Sequence, residues 1–238
     1  MGDEGTNRLL LLTRPEAASR RFLAVCEAAL GRQIPTVVSP VMTIRPVEVR
    51  LRRPPATLIL TSENGARRAG ELDLAGRPAW CVGPRTAEAA RAGGLVAVEA
   101  GPDAEALLAA LLAARPGGPL LHLRGEHARG GLAARLRAAG LEACESVAYR
   151  QVALEPTEAA RRALDGARPL LVPLFSPRSA ALFVAWAPQA PLHVVAMSEA
   201  VAEAARPLGP ASLRLARTSD GNAMVQAVLD ELGRPTRA

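Results

Sequence analysis

Small hydroxyl and amide side chains follow a short apolar run near residue 60. Residues 58–60 are typical of a buried strand, and the residues after position 64 have helical spacing. Thr61, Ser62 and Asn64 lie at this junction and are residue types that cap helix N-termini. A helix N-terminus at the end of a parallel strand presents free backbone N–H groups, which favour an anion. The stretch is therefore a candidate anion-binding site, although capping alone also explains it.

The same pattern recurs elsewhere in the chain at a nearly constant spacing. Ser62 matches Ser176 at an offset of 114 positions, and Arg14 matches Arg124 at 110. A third pair, "CVGPRTAEAA" and "AMSEAVAEAA", has an offset of 115. Two copies are too few for a repeat array, so the matches predict two related domains.

The matched segments all come directly after predicted strands. In open α/β sheets the carboxyl ends of the strands form the edge at which ligands bind. If two such edges face each other, they form a cleft, which is a preferred place for a small-molecule site. We therefore expect a two-sided binding site.

Strands alternate with helices along the chain, which predicts parallel sheets with helices on both faces. Two poorly periodic, extended segments interrupt this alternation, and we interpret them as linker strands at 40–45 and 148–152. The middle domain is then 46–147. The other domain is discontinuous and comprises 1–39 and 153–238.

The charged residues restrict the possible chemistry. The formal net charge is +6 and the sequence contains no lysine, so every basic side chain other than histidine is an arginine. This excludes a Schiff-base lysine and the lysine of a P-loop. Arginine binds carboxylates and phosphates bidentately. Nucleic acid is a less favoured partner, because aromatic residues are only 3% of the chain and no basic cluster interleaves with them.

Other familiar sites are poorly supported. The cysteines are odd in number and widely separated, and the spacing of His122 and His127 does not favour a metal site. Ser198 follows a strand as a nucleophile elbow does, but the flanking glycines are missing. Helix arginines such as Arg67 and Arg68 are expected on solvated faces. No apolar run is long enough to cross a membrane and no signal-peptide pattern is present, so we expect a cytoplasmic protein without a membrane partner.

Taken in order, the motifs resemble those of the uroporphyrinogen-III synthase family. The matching segments are "LLTRPE", "ILTSENG", "VGPRTAEA", "LLHLRGE", "VAYRQV", "LFSPRSA" and "AMSEAVAEA". Each motif is weak alone, but their order covers nearly the whole chain. The resemblance implies two flavodoxin-like, doubly wound parallel-sheet domains of the α/β class, joined by a two-stranded linker.

The resemblance also implies a reaction. Members of this family are lyases that close the linear tetrapyrrole hydroxymethylbilane to uroporphyrinogen III, with inversion of ring D and loss of water. They act without a metal or organic cofactor, and a monomer is expected. The substrate carries eight carboxylates, which suits arginines and helix N-termini. Loss of the hydroxyl gives an azafulvene, and a spiro intermediate follows, so control of substrate conformation matters more than a strong nucleophile.

Individual residues take roles from the same resemblance. The substrate-binding candidates that match family turns or strand ends are Arg14, Thr61, Ser62, Asn64, Gly83, Thr86, Arg124 and Ser176. Tyr149 matches a linker tyrosine that assists departure of the substrate hydroxyl, although packing in the linker is an alternative role. The chain departs from the family pattern at 198–201, where Ser198 is the candidate substitute for a missing threonine hydroxyl.

The sequence is also compatible with a protein that binds a ligand and has no enzymatic activity. A two-domain α/β module that binds an acidic small molecule without turnover would show the same arginines and helix starts. Formation of the type III product separates the two interpretations.

Overall fold

The structure is a computed structural model that describes residues 8–51, 53–127 and 131–233. The chain divides into two compact units. The middle unit is Ile44–Val152, and the outer unit combines the segment ending at Thr43 with the segment beginning at Ala153. Within the described ranges, none of the helices is both long and apolar enough to cross a membrane.

The outer unit contains a five-stranded sheet whose paired strands are all parallel within the described residues. Its strands are β1 (Leu9–Leu12), β2 (Thr36–Val38), β9 (Leu170–Leu174), β10 (Leu192–Ala196) and β11 (Ser212–Leu215). Its helices are α1 (Glu16–Leu30), α6 (Glu158–Leu164), α7 (Pro177–Val184), α8 (Glu199–Ala205) and α9 (Gly221–Glu231).

The middle unit is built in the same way. Its sheet contains β3 (Met42–Pro46), β4 (Thr57–Leu60), β5 (Pro78–Cys81), β6 (Val96–Glu99), β7 (Leu120–Gly125) and β8 (Ala143–Ala153). The helices are α2 (Glu63–Gly70), α3 (Gly83–Ala92), α4 (Ala104–Ala114) and α5 (Leu132–Ala138). The junctions between the two units lie inside β3 and β8.

Each sheet buries both of its faces because helices cover both sides. In β4 the side chains of Leu58 and Leu60 join one apolar core, and Ile59 joins the core on the opposite face. In β1 the side chain of Leu11 joins the apolar core on one face of the sheet, and that of Leu10 joins the core on the other face. This confirms the predicted α/β class with doubly wound parallel sheets.

The two sheets have the same spatial order of corresponding strands but different connections. The outer sheet reads β2-β1-β9-β10-β11, which is the flavodoxin order 2-1-3-4-5. The middle sheet reads β3-β8-β7-β4-β5-β6, and β4, the strand that follows β3 in the chain, lies inside the sheet next to β7. The flavodoxin strand order therefore holds for the outer unit and not for the middle one.

A circular permutation relates the two orders. If β4, β5 and β6 correspond to β9, β10 and β11, then β7 and β8 correspond to β1 and β2. The corresponding strands then occupy the same places in both sheets, but the chain enters the middle sheet at a different strand. This also accounts for the repeat found in the sequence, in which Arg14 precedes Ser176 while Arg124 follows Ser62.

Candidate active site

The site of the middle unit lies where the strand order reverses. Strands β4 and β7 are neighbours in the sheet but not in the chain, and their carboxyl ends meet at this point. Loops diverge from such a switch point and leave a crevice, which is the usual ligand site of open α/β sheets. Thr61 and Ser62 follow β4, and Arg124 and Gly125 end β7.

Ser62 connects the start of α2 to Tyr149 on β8. Its backbone is extended (φ −157°, ψ 151°), and its Oγ accepts a hydrogen bond from the Gly65 N–H at 3.1 Å. The same Oγ lies 2.9 Å from the Tyr149 hydroxyl. Because the capping bond uses an Oγ lone pair, the Ser62 O–H is available to donate to Tyr149. Either hydroxyl can be the donor of this pair, and when Ser62 donates, the phenol O–H is free to donate to a ligand.

Gly125 provides the space that the Tyr149 ring occupies. A Cβ atom at position 125 would lie 2.7 Å from Cζ and 2.9 Å from the hydroxyl oxygen of Tyr149. The two residues are register partners, and the register of β7 and β8 shifts between Arg124 and Gly125. A bulge of this kind re-aims a side chain, here that of the tyrosine. Tyr149 is held in place, with only 7% of its surface exposed.

His122 is a second polar residue near the end of the middle sheet, and it lies in β7. Its Nε2 lies 3.2 Å from Thr61 Oγ1, and only 3% of the residue is exposed. Burial lowers the pKa of His122 to about 4, while Glu145 raises it and Arg124 lowers it to smaller extents. The imidazole is therefore neutral at physiological pH. Among the described residues, its Nδ1 atom is buried and has no hydrogen-bond partner.

Arg124 is engaged within the middle unit. Its guanidinium forms an ion pair with Glu145 at 2.7 Å and donates to the backbone oxygens of Gly125 and Glu126 at 3.0 and 3.2 Å. The hydrogen bond from Arg124 is the main reason why the pKa of Glu145 lies below its usual range. These contacts stabilise the end of β7, so a substrate carboxylate would compete with Glu145 for this arginine.

The remaining candidates of the middle unit lie at helix starts. Asn64 is half-buried in the first turn of α2. Gly83 begins α3 with a positive φ of 68°, and its N–H donates to the Gly101 carbonyl at 2.8 Å. Thr86 is 5% exposed, so its side chain lies in the interior rather than on an open surface.

A cavity of about 170 Å³ joins several of these groups. Thr61, Ser62, His122 and Tyr149 form part of its wall. The other lining residues are Ala104, Gly125, Glu126, His127, Leu132 and Gln151. Of the residues proposed from the sequence for the middle unit, the cavity thus brings together Thr61, Ser62 and Tyr149.

The outer unit has an equivalent switch point between β1 and β9. The Arg14 guanidinium carbon lies 4.2 Å from the centroid of the Phe175 ring, and Phe22 packs edge-on against the same ring. Ser176 caps α7 with nearly the same backbone angles as Ser62 (φ −154°, ψ 151°) and forms a capping box with Ser179. The matched serines therefore have the same structural role in both units.

Ser198 differs from the other two serines. It occupies the N-cap position of α8 with an extended backbone (φ −155°, ψ 167°). Within the described chain its side chain makes no capping hydrogen bond. Its hydroxyl is therefore not used to start the helix, and a role in binding stays a prediction.

Several residues of this site escape prediction from the sequence. The sequence analysis considers His122 only for a metal site, which its spacing does not favour. The feature that could have identified it is a polar residue inside the apolar run "LLHLRG". The role of Gly125 depends on a strand register that the sequence does not show. The prediction that Arg68 lies on a solvated helix face is wrong. Its guanidinium donates to the backbone oxygens of Val47 and Ala148 at 3.1 and 3.0 Å.

Metal ligands are not grouped in the part of the chain that the structure describes. No set of three or more histidine, cysteine or acidic residues there is placed to hold a metal ion. The groups that the described residues offer at the cavity are hydroxyl, imidazole, carboxylate and amide groups, which can form hydrogen bonds and donate protons.

Comparisons with known proteins agree with this architecture. The chain is similar in structure to the uroporphyrinogen-III synthetase of Helicobacter pylori 26695, with a TM-score of 0.69, 14% identity, and coverage of 94% of this chain and 99% of that one. A mutant uroporphyrinogen III synthase from the extremely thermophilic bacterium Thermus thermophilus gives a TM-score of 0.50 at 18% identity, with coverage of 94% and 98%. At these identities the likeness concerns the fold. No curated protein sequence matches the chain.

A family model decides the assignment. The model described as Uroporphyrinogen-III synthase HemD matches residues 27–226, which is most of the 238-residue chain and includes parts of both units. The chain belongs to the uroporphyrinogen-III synthase family.

Proposed function

We propose that the Ser62–Tyr149 pair is where this chain assists the loss of the hydroxyl from hydroxymethylbilane. The chain is a cyclising lyase of tetrapyrrole biosynthesis, as its family membership shows. The observation that carries the local proposal is the 2.9 Å contact between Ser62 Oγ and the Tyr149 hydroxyl. The contact supports the proposal because it holds a phenol close to the switch point between β4 and β7.

The proposed step breaks the C–O bond of the substrate hydroxymethyl group. Tyr149 donates its proton to the departing hydroxyl, which leaves as water. The pyrrole that bore the group becomes an azafulvene by losing its N–H proton to solvent, and the phenolate takes a proton back from solvent. Ser62 holds the phenol oxygen in place during this transfer, and a positioned acid of this kind contributes about 10²–10⁴-fold.

Conformational control of the long substrate is the second part of the proposal. Arg14 supplies positive charge, and the helix starts at Ser62, Ser176 and Ser198 supply backbone donors for carboxylates. Gly83 shapes the start of α3, since its own N–H is bonded to Gly101. Holding the two ends of the substrate in one geometry favours ring closure over release of the reactive intermediate.

Asn64 has a direct role in binding, and Thr86 and Arg124 have supporting structural roles. Asn64 is accessible in the first turn of α2, so it can contact a carboxylate directly. Thr86 and Arg124 act through the structure, since one is buried and the other is paired with Glu145. We further propose that the chain acts as a cytoplasmic monomer on this small molecule, without nucleic acid and without a cofactor.

The test of the function is the isomer that forms. Purified protein is supplied with hydroxymethylbilane generated enzymatically, and the oxidised products are separated by chromatography. We expect type III uroporphyrinogen. Formation of the type I isomer alone, which arises spontaneously, would contradict the proposed activity.

A further inference from the structure

We propose that the cavity of the middle unit receives one neutral pyrrole ring of the substrate, and that His122 is the polar group that meets the ring N–H. The inference rests on the proposed function and extends it, because it assigns one part of the substrate to one part of the site.

The size of the cavity suits a single ring. Its volume of about 170 Å³ is close to that of an apolar cavity of about 150 Å³ that binds benzene. A five-membered ring with its hydroxymethyl group fits this space, and a whole tetrapyrrole does not. The other rings therefore stay outside it, and the carboxylate arms of the ring that enters must point out of the cavity.

The charges of the wall favour a neutral group over a carboxylate. Among the described residues that line the cavity, none is an arginine. Glu126 contributes negative charge there, and it forms an ion pair with Arg150 at 3.5 Å. Among the described lining residues, a second carboxylate would meet Glu126 and no arginine, whereas the apolar side chains of Ala104 and Leu132 suit the faces of a neutral ring.

His122 offers the ring a buried hydrogen-bond acceptor. A buried ring nitrogen without a partner is uncommon in proteins, and Nδ1 is such an atom among the described residues. If Nε2–H donates to Thr61 Oγ1, Nδ1 is an acceptor and matches a pyrrole N–H. Burial keeps the ring neutral, since it lowers the pKa of His122 to about 4, and the facing charges of Glu145 and Arg124 oppose each other. His122 therefore orients the ring and does not remove its proton.

The identity of the ring follows from its neighbours. Tyr149 and Ser62 line the same cavity as His122. The ring that enters is then the one whose hydroxymethyl group can reach the Tyr149 hydroxyl, which is the ring that loses water.

Nuclear magnetic resonance of the imidazole nitrogens tests the assignment. The chain contains three histidines, so protein labelled with ¹⁵N-histidine gives few signals, and His193, bonded to Ser212 at 2.8 Å in the outer unit, is an internal reference. We expect 2-methylpyrrole to shift the His122 Nδ1 signal without moving that of His193, and sodium propionate at equal ionic strength to leave it unchanged. A shift with propionate, or no shift with the pyrrole, would overturn the inference.

Two substitutions test the same contact during turnover. His122→Leu removes both ring nitrogens, and His122→Asn keeps a polar atom near the position of Nδ1. We expect His122→Leu to raise KM about tenfold and His122→Asn to recover most of that loss, as one hydrogen bond allows. Equal KM values for the two variants would contradict a hydrogen bond between His122 and the substrate ring. Wild-type protein is assayed in parallel. If it forms no type III isomer, the proposed function fails; if only the variants behave unexpectedly, the His122 contact fails.

Discussion

Ser62 Oγ lies 2.9 Å from the Tyr149 hydroxyl while it also caps α2 through the Gly65 N–H. One side chain thus fixes a helix start and the position of a phenol oxygen. Since Ser62 follows β4 and Tyr149 lies on β8, the contact crosses the end of β7, which lies between these strands in the sheet. The position of the proposed acid therefore depends on the register of three strands.

Replacement of Ser62 by alanine separates capping from catalysis. The lost cap lowers the free energy of unfolding by about 1 kcal/mol, and the lost contact to Tyr149 slows turnover about tenfold. Thr157 is a matched control, because its Oγ1 caps α6 through the Ala160 N–H at 3.3 Å and it lies outside the site. We expect Thr157→Ala to lose similar stability and to keep the wild-type turnover. Equal turnover in both variants would reduce Ser62 to a helix cap.

Gly125→Ala tests the packing that aims Tyr149. The added Cβ would lie within 3 Å of three atoms of the tyrosine ring and hydroxyl, so the ring must move. We expect stability to fall by about 1–3 kcal/mol, as for other overpacked sites, and type III formation to slow. A Cβ at the exposed Gly117 meets no atom within 4 Å, so Gly117→Ala is the control. Unchanged kinetics in Gly125→Ala would show that the orientation of Tyr149 is unimportant.

The buried His122 predicts a specific dependence of stability on pH. Its pKa is about 4 in the folded chain and about 6.5 when unfolded, so the unfolded state binds more protons between these values. Stability from this residue is fully present above pH 6.5 and is lost as the pH falls toward 4, by on the order of 3 kcal/mol. Urea unfolding of wild type and His122→Leu at pH 7.5 and 4.5 measures the difference. Parallel losses in the two proteins would contradict a neutral buried imidazole.

Arg14 is expected to act in binding rather than in the chemical step. Its guanidinium lies over the Phe175 ring, which orients it at the switch point of the outer unit. We expect Arg14→Gln to raise KM for hydroxymethylbilane about tenfold or more, as the loss of a charge-assisted hydrogen bond does, with a small change in kcat. Arg20→Gln changes an exposed arginine that pairs with Glu16 and should leave KM unchanged. A fall in kcat alone would contradict a binding role.

Local patterns predicted much of the architecture, and long-range register explains what they missed. The apolar runs and helix starts identified the alternating strands and helices, and the caps at Ser62 and Ser176 follow from residue type and spacing. The contact between Ser62 and Tyr149 spans 87 positions and depends on the register shift after Arg124, which no local pattern encodes. Likewise, the matched segments predicted two related domains but not the permuted strand order of the middle unit.

The measurement that tests the central claim most directly is the rate of type III formation by Tyr149→Phe. The substitution removes one hydroxyl and keeps the ring, so the unfolding midpoint should change little. The account predicts a fall in kcat of about 100-fold or more, because the departing hydroxyl loses its acid. A variant that folds normally and forms uroporphyrinogen III at the wild-type rate would contradict the account and leave Tyr149 as a packing residue.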